Sequence, residues 1–201
     1  MTVVKEMVDH ALEKLVLELY HENKWRDILD LQNFKDAFEK HRLLWVWPSL
    51  EDLDWLKHII NERNVREIVS IGCGSGLLEW LIQKYSGIVV VGVEVDRKWW
   101  CSGYSPPLFL KNVHFIDEED SRFEILPSQA ILFCYFNNGS AFLNYVKQYT
   151  GRTVIVIGPG EGRGSCTDPV PFDRKFSDLG WKLDAAREIR DTKDYIAVYV
   201  R

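Results

Sequence analysis

The sequence predicts an α/β fold: a seven-stranded, mainly parallel sheet, closed by a C-terminal antiparallel hairpin and preceded by a helical extension. Three observations predict it. From residue 65 onward, short apolar runs rich in β-branched residues alternate with stretches whose apolar residues recur at helical spacing, the pattern of parallel strands joined by crossover helices. A glycine turn, Gly72-Cys73-Gly74-Ser75-Gly76, joins the first such strand to the first such helix. The chain ends in strand-like runs at 181–189 and 195–201, separated by Arg190-Asp191-Thr192-Lys193-Asp194, which suits a hairpin.

Residues 65–99 organise the rest. Glu67-Ile68-Val69-Ser70-Ile71 reads as a buried strand, Leu77, Leu78, Trp80, Leu81 and Ile82 mark the inner face of the following helix, and Gly87 ends it. A second strand at 88–93 carries Glu94 at its end. This order of strand, glycine turn, helix, strand and acid holds a nucleoside. Glycines let a ligand approach the backbone, and a carboxylate after strand two accepts hydrogen bonds from ribose hydroxyls. The spacing is G-x-G-x-G. A dinucleotide fingerprint is G-x-G-x-x-G, and Leu77 stands where its third glycine belongs, which argues against a nicotinamide dinucleotide.

Ahead of this unit, Val3, Val4, Met7, Val8, Ala11, Leu12, Leu15, Val16 and Leu19 recur at i, i+3, i+4 behind Thr2, so a capped helix is expected over 3–20. Another is expected over 25–40, with Ile28, Leu31, Phe34 and Phe38 on one side. Pro48 disfavours helix at Trp47. Ser49 with Asp52 signals the capped start of a helix over 50–62, whose Leu53, Leu56, Ile59 and Ile60 face inward. Trp45-Val46-Trp47-Pro48-Ser49 is therefore a loop, and its tryptophans need burial against the sheet edge, a cofactor or a substrate. The chain thus divides into N-terminal helices at 1–64, which pack on or cap the core, and an α/β domain at 65–201.

A third strand is expected at 112–116, ending in Asp117-Glu118-Glu119-Asp120. The fourth, at 130–136, is apolar throughout and hence buried on both faces. Asn137-Asn138-Gly139-Ser140 follow it at the carboxyl edge, where open α/β sheets place their chemistry. After a helix at 141–149 and a fifth strand at 153–158 comes Pro159-Gly160-Glu161-Gly162-Arg163-Gly164-Ser165-Cys166-Thr167-Asp168. So many glycines in a loop mean backbone freedom or a close approach. Asn137, Asn138, Glu161 and Arg163 are the candidate substrate-side groups on these two loops. Glu161 would act as a base and Arg163 would bind an anion, or the two would pair with each other and hold the loop.

Composition narrows the function classes. The 201 residues carry a net charge of −5 and no run of Lys and Arg, so there is no electrostatic footprint for nucleic acid. Cys73, Cys101, Cys134 and Cys166 are widely spaced and read as reduced thiols, and His10, His21, His41, His58 and His114 include no i, i+4 pair, so no metal site is expected. Neither a G-x-S-x-G elbow nor a phosphate-binding P-loop occurs. No apolar run approaches the roughly 20 residues of a membrane span. The amphipathic, acidic start is unlike a signal peptide, which leads us to expect a cytoplasmic protein, or a nuclear one.

The G-x-G-x-G turn and Val91-Gly92-Val93-Glu94-Val95-Asp96 at the end of strand two resemble the class I S-adenosylmethionine-dependent methyltransferases. Residues 45–201 are similar to a methyltransferase-like branch with a W-x-W-P segment (45–48), an I-G-x-G-x-G turn (71–76) and a G-E-G-R-G-x-C-T loop (160–167). The resemblance implies a Rossmann-like fold and S-adenosyl-L-methionine as cofactor. It implies that Gly72, Cys73, Gly74, Ser75, Gly76 and Phe136 lie against that cofactor, that Glu94 binds ribose and that Asp117 meets the adenine amino group. The sequence departs from the family at Ser70, where an acid usually orients the cofactor's amino group. It departs from the branch at Tyr135-Phe136-Asn137-Asn138, where a W-P-P-like segment is common, and it lacks the Asn/Asp-Pro-Pro-aromatic motif used on nucleic-acid bases. The implied function is methyl transfer to a small-molecule or protein acceptor, with Asn137, Glu161 and Arg163 as catalytic candidates. The alternative is a catalytically inactive relative serving as a cofactor sensor or a protein-binding scaffold.

Overall fold

The computed structural model describes residues 10–116 and 123–201. Thr2, the first turns of the expected N-terminal helix, and Asp117 lie outside them. Helix α1 (Ala11–His21) buries Leu12 and Val16, and its first turn is capped from elsewhere: the Glu39 carboxylate accepts the Leu12 N–H at 2.7 Å. The single helix expected over 25–40 is instead α2 (Trp25–Asp30), a 3-10 turn (Leu31–Asn33) and α3 (Ala37–Leu43). The reason is Asp36, whose carboxylate accepts the Phe38 and Glu39 N–H groups at 2.8 and 3.1 Å and so starts a new helix. The restart resets the face. Phe38, expected beside Ile28, is 70% exposed, while Glu39 is buried.

Helix α4 (Leu50–Glu62) begins as the sequence predicts. Ser49 Oγ accepts the Asp52 N–H at 3.0 Å, and the Asp52 carboxylate accepts the Ser49 N–H at 2.8 Å, a reciprocal capping box. Leu53, Leu56, Ile59 and Ile60 are all buried.

The remaining elements are β1 (Glu67–Ile71), α5 (Leu77–Ser86), β2 (Val89–Glu94), α6 (Arg97–Trp100), β3 (Val113–Phe115), β4 (Gln129–Cys134), α7 (Gly139–Gln148), β5 (Thr153–Pro159), α8 (Lys175–Asp178), β6 (Lys182–Ile189) and β7 (Asp194–Val200). Among the described residues they give one seven-stranded sheet in the order β3-β2-β1-β4-β5-β7-β6. The first five strands are parallel, and β7 pairs antiparallel with both β5 and β6. The predicted fold class is therefore the observed one.

Strand alternation makes two layers. Ile68, Val90, Leu132 and Ile155 join a core with α4, α5 and the N-terminal helices, whereas Val69, Ile131, Phe133 and Val156 pack with Phe142, Val146 and Phe176 of α7 and α8. Tyr20 of α1 meets the rings of Trp80 and Phe109, so α1 lies over α5. No helix among the described residues is long and apolar enough to cross a membrane.

Two glycines separate backbone strain from crowding. Gly87 ends α5 at φ +79°, with nothing near an added Cβ. Gly76 begins it at φ +71°, where a Cβ would fall 2.5 Å from Leu110 Cβ. Gly87→Ala is expected to cost about 1–2 kcal/mol, the left-handed penalty alone. Gly76→Ala is expected to cost clearly more, because the segment at Leu110 must also move. Urea denaturation of the two variants compares them, and equal midpoints would contradict this packing.

Candidate functional site

The site follows from register. Ile71 lies opposite both Val93 of β2 and Phe133 of β4, so three parallel strands end at one level. The chain reverses its direction of winding between β1 and β4, and the crevice at such a switch point is where open α/β sheets bind ligands. The glycine turn leaves from β1, Glu94 ends β2, and Tyr135 follows β4.

Within the turn, the Gly74 N–H donates to Glu94 Oε2 at 2.8 Å, and the Val95 N–H donates to Oε1 at 2.8 Å. Burial pushes the Glu94 carboxyl above the usual range, and these two N–H groups oppose the shift. Ser75 Oγ donates to the Leu43 carbonyl at 2.9 Å, tying the turn to the end of α3. Gly72 is covered by Phe136, whose ring would lie 2.8 Å from an added Cβ. Gly74 is open by contrast: a Cβ there would meet only Trp100, at 4.0 Å.

Beside Gly74 is a cavity of about 210 Å³, lined among others by His41, Trp45, Gly74, Glu79, Cys134 and Tyr135. It is smaller than the roughly 300–1,000 Å³ of typical small-molecule pockets, so it suits one end of a ligand. The Trp45 ring is stacked between His41 and Tyr135, at centroid distances of 5.2 and 5.4 Å. Of the two loop tryptophans, Trp47 is buried and Trp45 is 54% exposed at this wall.

Glu79 is the residue that motif reading missed. It is buried on α5, and Ser70 Oγ donates to its Oε1 at 2.6 Å. A carboxyl group thus sits on the hydroxyl of the position where an acid was expected in the strand. Burial pushes Glu79 up to about 7. Burial, and next to it Glu79, pushes the thiols of Cys73 and Cys134 up. The available signal was one charged residue inside the apolar run Leu77-Leu78-Glu79-Trp80-Leu81-Ile82.

A second cluster backs the cavity. Asp194 is 1% exposed; it receives the Tyr135 hydroxyl at 2.5 Å, Arg163 Nε at 3.0 Å and Thr192 Oγ1 at 3.1 Å. Tyr135 adopts φ +49°, and burial, followed by the bond to Asp194, raises its hydroxyl to about 12. It keeps its proton and donates a hydrogen bond to Asp194.

The sequence-derived candidates fall into place around these groups. Arg163 pairs with Asp194 rather than with Glu161, which is exposed and has no hydrogen bond or ion pair among the described residues. Neither of them lines the cavity. Asn138 caps α7, accepting the Ala141 N–H at 3.0 Å, and Asn137 bridges to Asp168 through the backbone. The loops after β4 and β5 are thus brought together as expected, with the Asp168 N–H donating to the Phe136 carbonyl at 3.1 Å. The cavity itself is walled by Trp45 and Tyr135. Asp117 lies outside the described residues. No group of three or more His, Cys, Asp or Glu among the described residues is placed to hold a metal ion.

No protein-family model matches the sequence, and no curated protein does. Solved structures do match in fold. The magnesium protoporphyrin IX methyltransferase of Synechocystis PCC 6803 with bound SAH aligns over 94% of this chain and 99% of that one, with 11% identity and a TM-score of 0.54. The same enzyme with bound SAM aligns over 94% and 97%, with 14% identity and a TM-score of 0.52. The O-methyltransferase of Bacillus cereus in complex with SAH aligns over 95% and 91%, with 15% identity and a TM-score of 0.51. This chain has the fold of these enzymes.

The buried acid has a pH signature. A glutamate ordinarily titrates near 4.5, and folding holds Glu79 near 7. Below about pH 4.5 the group is protonated in both states. Between 4.5 and 7 only the folded chain keeps the proton, so stability falls as pH rises, by about 3 kcal/mol at most, and the loss is complete above 7. Glu79→Gln removes this component. Urea denaturation at several pH values should therefore show the variant gaining on wild type across that window. Parallel curves would rule out a buried, protonated Glu79.

Proposed function

We propose that this chain is an S-adenosylmethionine-dependent methyltransferase acting on a small-molecule or protein acceptor. The observation that carries the proposal is the open Gly74 beside the Glu94 carboxylate, at the switch point of a sheet shared with SAM- and SAH-bound methyltransferases. The residues present fit the cofactor. Gly74 leaves room for close approach to the backbone, and each Glu94 oxygen, holding one backbone N–H, keeps a lone pair for a ribose hydroxyl.

When bound, S-adenosylmethionine supplies an electrophilic methyl group on a sulfonium. The chain's part is alignment and exclusion of water. Glu94 orients the ribose, Asp117 is assigned to the adenine by resemblance, and the turn at 72–76 admits the amino-acid end. Trp45 and Tyr135 wall the cavity on the acceptor side. Arg163 acts through Asp194, holding Tyr135 in place. The net charge of −5 disfavours a nucleic-acid acceptor.

A second reading, a cofactor sensor or scaffold without catalysis, is favoured by the position of Glu161 and Arg163: neither lines the cavity, and Arg163 is paired with Asp194. Calorimetry with S-adenosylhomocysteine (SAH) and NAD tests the cofactor first. SAH should bind and NAD should not. Glu94→Ala should weaken SAH about ten- to hundredfold, the worth of a hydrogen bond to a charged group. Undiminished affinity in that variant refutes the assignment. Cofactor binding without methyl transfer to any acceptor pool selects the sensor reading.

A further inference from the structure

We infer that Arg190, in the turn between β6 and β7, is a positioning residue that holds Trp45 at the cavity wall. This role rests on the methyltransferase reading only for the ligand used to test it.

Residues 45–48 lie between α3 and α4 without belonging to either, and Pro48 has no N–H to donate. Trp47 is buried, and its indole N–H has no acceptor among the described residues. The segment is held by its carbonyls instead. Arg190 Nε donates to the Trp47 carbonyl at 3.0 Å, and Nη2 donates to the Pro48 carbonyl at 2.9 Å and the Leu29 carbonyl at 3.4 Å. Among the described residues the backbone of 45–48 makes no other hydrogen bond. A guanidinium presents its donors in a rigid planar fork, so it fixes these carbonyls relative to one another, as a lysine ammonium does not. Nor is the fork drawn away to an acid. Asp52, the foremost of the carboxylates near Arg190, is paired with Arg187.

The turn that carries Arg190 is itself held in a costly shape. Arg190, Asp191 and Lys193 have φ of +50°, +55° and +64°, a region that residues with a Cβ enter at a cost. Such strain persists where surrounding contacts over-determine it, and it collects at ligand clamps and switch regions. At the far end of the same turn, Asp194 receives the Tyr135 hydroxyl at 2.5 Å. Residues 190–194 therefore hold both members of the Trp45–Tyr135 pair, whose rings stack at 5.4 Å with planes 13° from parallel and line the cavity together. Tyr135 is held through its hydroxyl, and Trp45 through the carbonyl two residues further on. The turn is a crosspiece that sets where this wall stands.

Acrylamide quenching with and without Trp45→Phe isolates the Trp45 emission by difference, in wild type and in Arg190→Gln. Arg190→Gln should open Trp45 to the quencher and weaken SAH about two- to tenfold, the cost of ordering one side chain on binding. In a Trp45→Ala background the same change should weaken SAH no further, because both act on one wall. Arg190→Lys keeps the charge without the fork and should behave like Arg190→Gln; it takes its place should that variant fail to fold. Val146→Ala, a truncation in the core on the α7 face of the sheet, is the control for lost stability. Its urea midpoint should fall while Trp45 quenching and SAH affinity stay as in wild type. The proposal is overturned if the Arg190 variants match this control, or if the Arg190 and Trp45 changes weaken SAH additively. Failure of SAH to bind wild type would remove the methyltransferase reading and leave Trp45 quenching to decide the role of Arg190.

Discussion

The Glu94 carboxylate reaches the Gly74 N–H because β1 and β2 run parallel in a register that sets Ile71 opposite Val93. The same strand holds Phe133 of β4 opposite Ile71 on its other side, so Cys134 and Tyr135 emerge level with the glycine turn. Everything at the cavity depends on this alignment. The two core layers keep it in place, since a slip of one residue would turn every side chain to the wrong face. Ile68 and Ser70 would leave the layer of α5, and the hydroxyl that supports Glu79 would point away from it.

The three most buried acids among the described residues illustrate different uses of one costly group. Asp52 closes a capping box and an ion pair with β6, joining α4 to the sheet edge. Asp194 gathers a phenol, a guanidinium and a hydroxyl, and so fixes where the end of β4 and the loop after β5 stand. Buried pairs of this kind add little net stability, but breaking one leaves an uncompensated charge, so their geometry is strongly held. Glu79 accepts the neutral Ser70 hydroxyl, and no cation among the described residues pairs with it. It departs from the other two by facing space instead of a cation.

The frame of the site was legible because its signals are local. An apolar run, alternate glycines, a helical face and an acid at the end of the next strand lie within 65–99, and the structure has each of them in place. The break between α2 and α3 was also written locally, in Asp36, but the apolar period across it was the louder pattern. The partners of Arg163 and Tyr135 were not legible. Both meet Asp194, which belongs to a polar turn with no motif, and it reaches the carboxyl edge because β7 runs against its neighbour and sets Asp194 opposite Pro159. Such a contact comes from topology. Glu79 falls between these cases: it stands alone among apolar residues in the sequence, but nothing local in the sequence pairs it with Ser70, nine positions earlier on β1.

The turn between β6 and β7 holds both lips of the crevice. Arg190 donates to the carbonyls of Trp47, Pro48 and Leu29, and the Lys193 carbonyl accepts the Gly160 N–H at 2.7 Å. The Arg190 contacts span 142 to 161 residues of sequence. Contacts that close such long loops form slowly, because the entropy of closure must be met before they contribute. As the chain is synthesised, the segment bearing Trp45 and Trp47 is made long before the guanidinium that anchors it. The opening to the cavity therefore cannot take its final shape until the turn between β6 and β7 is in place.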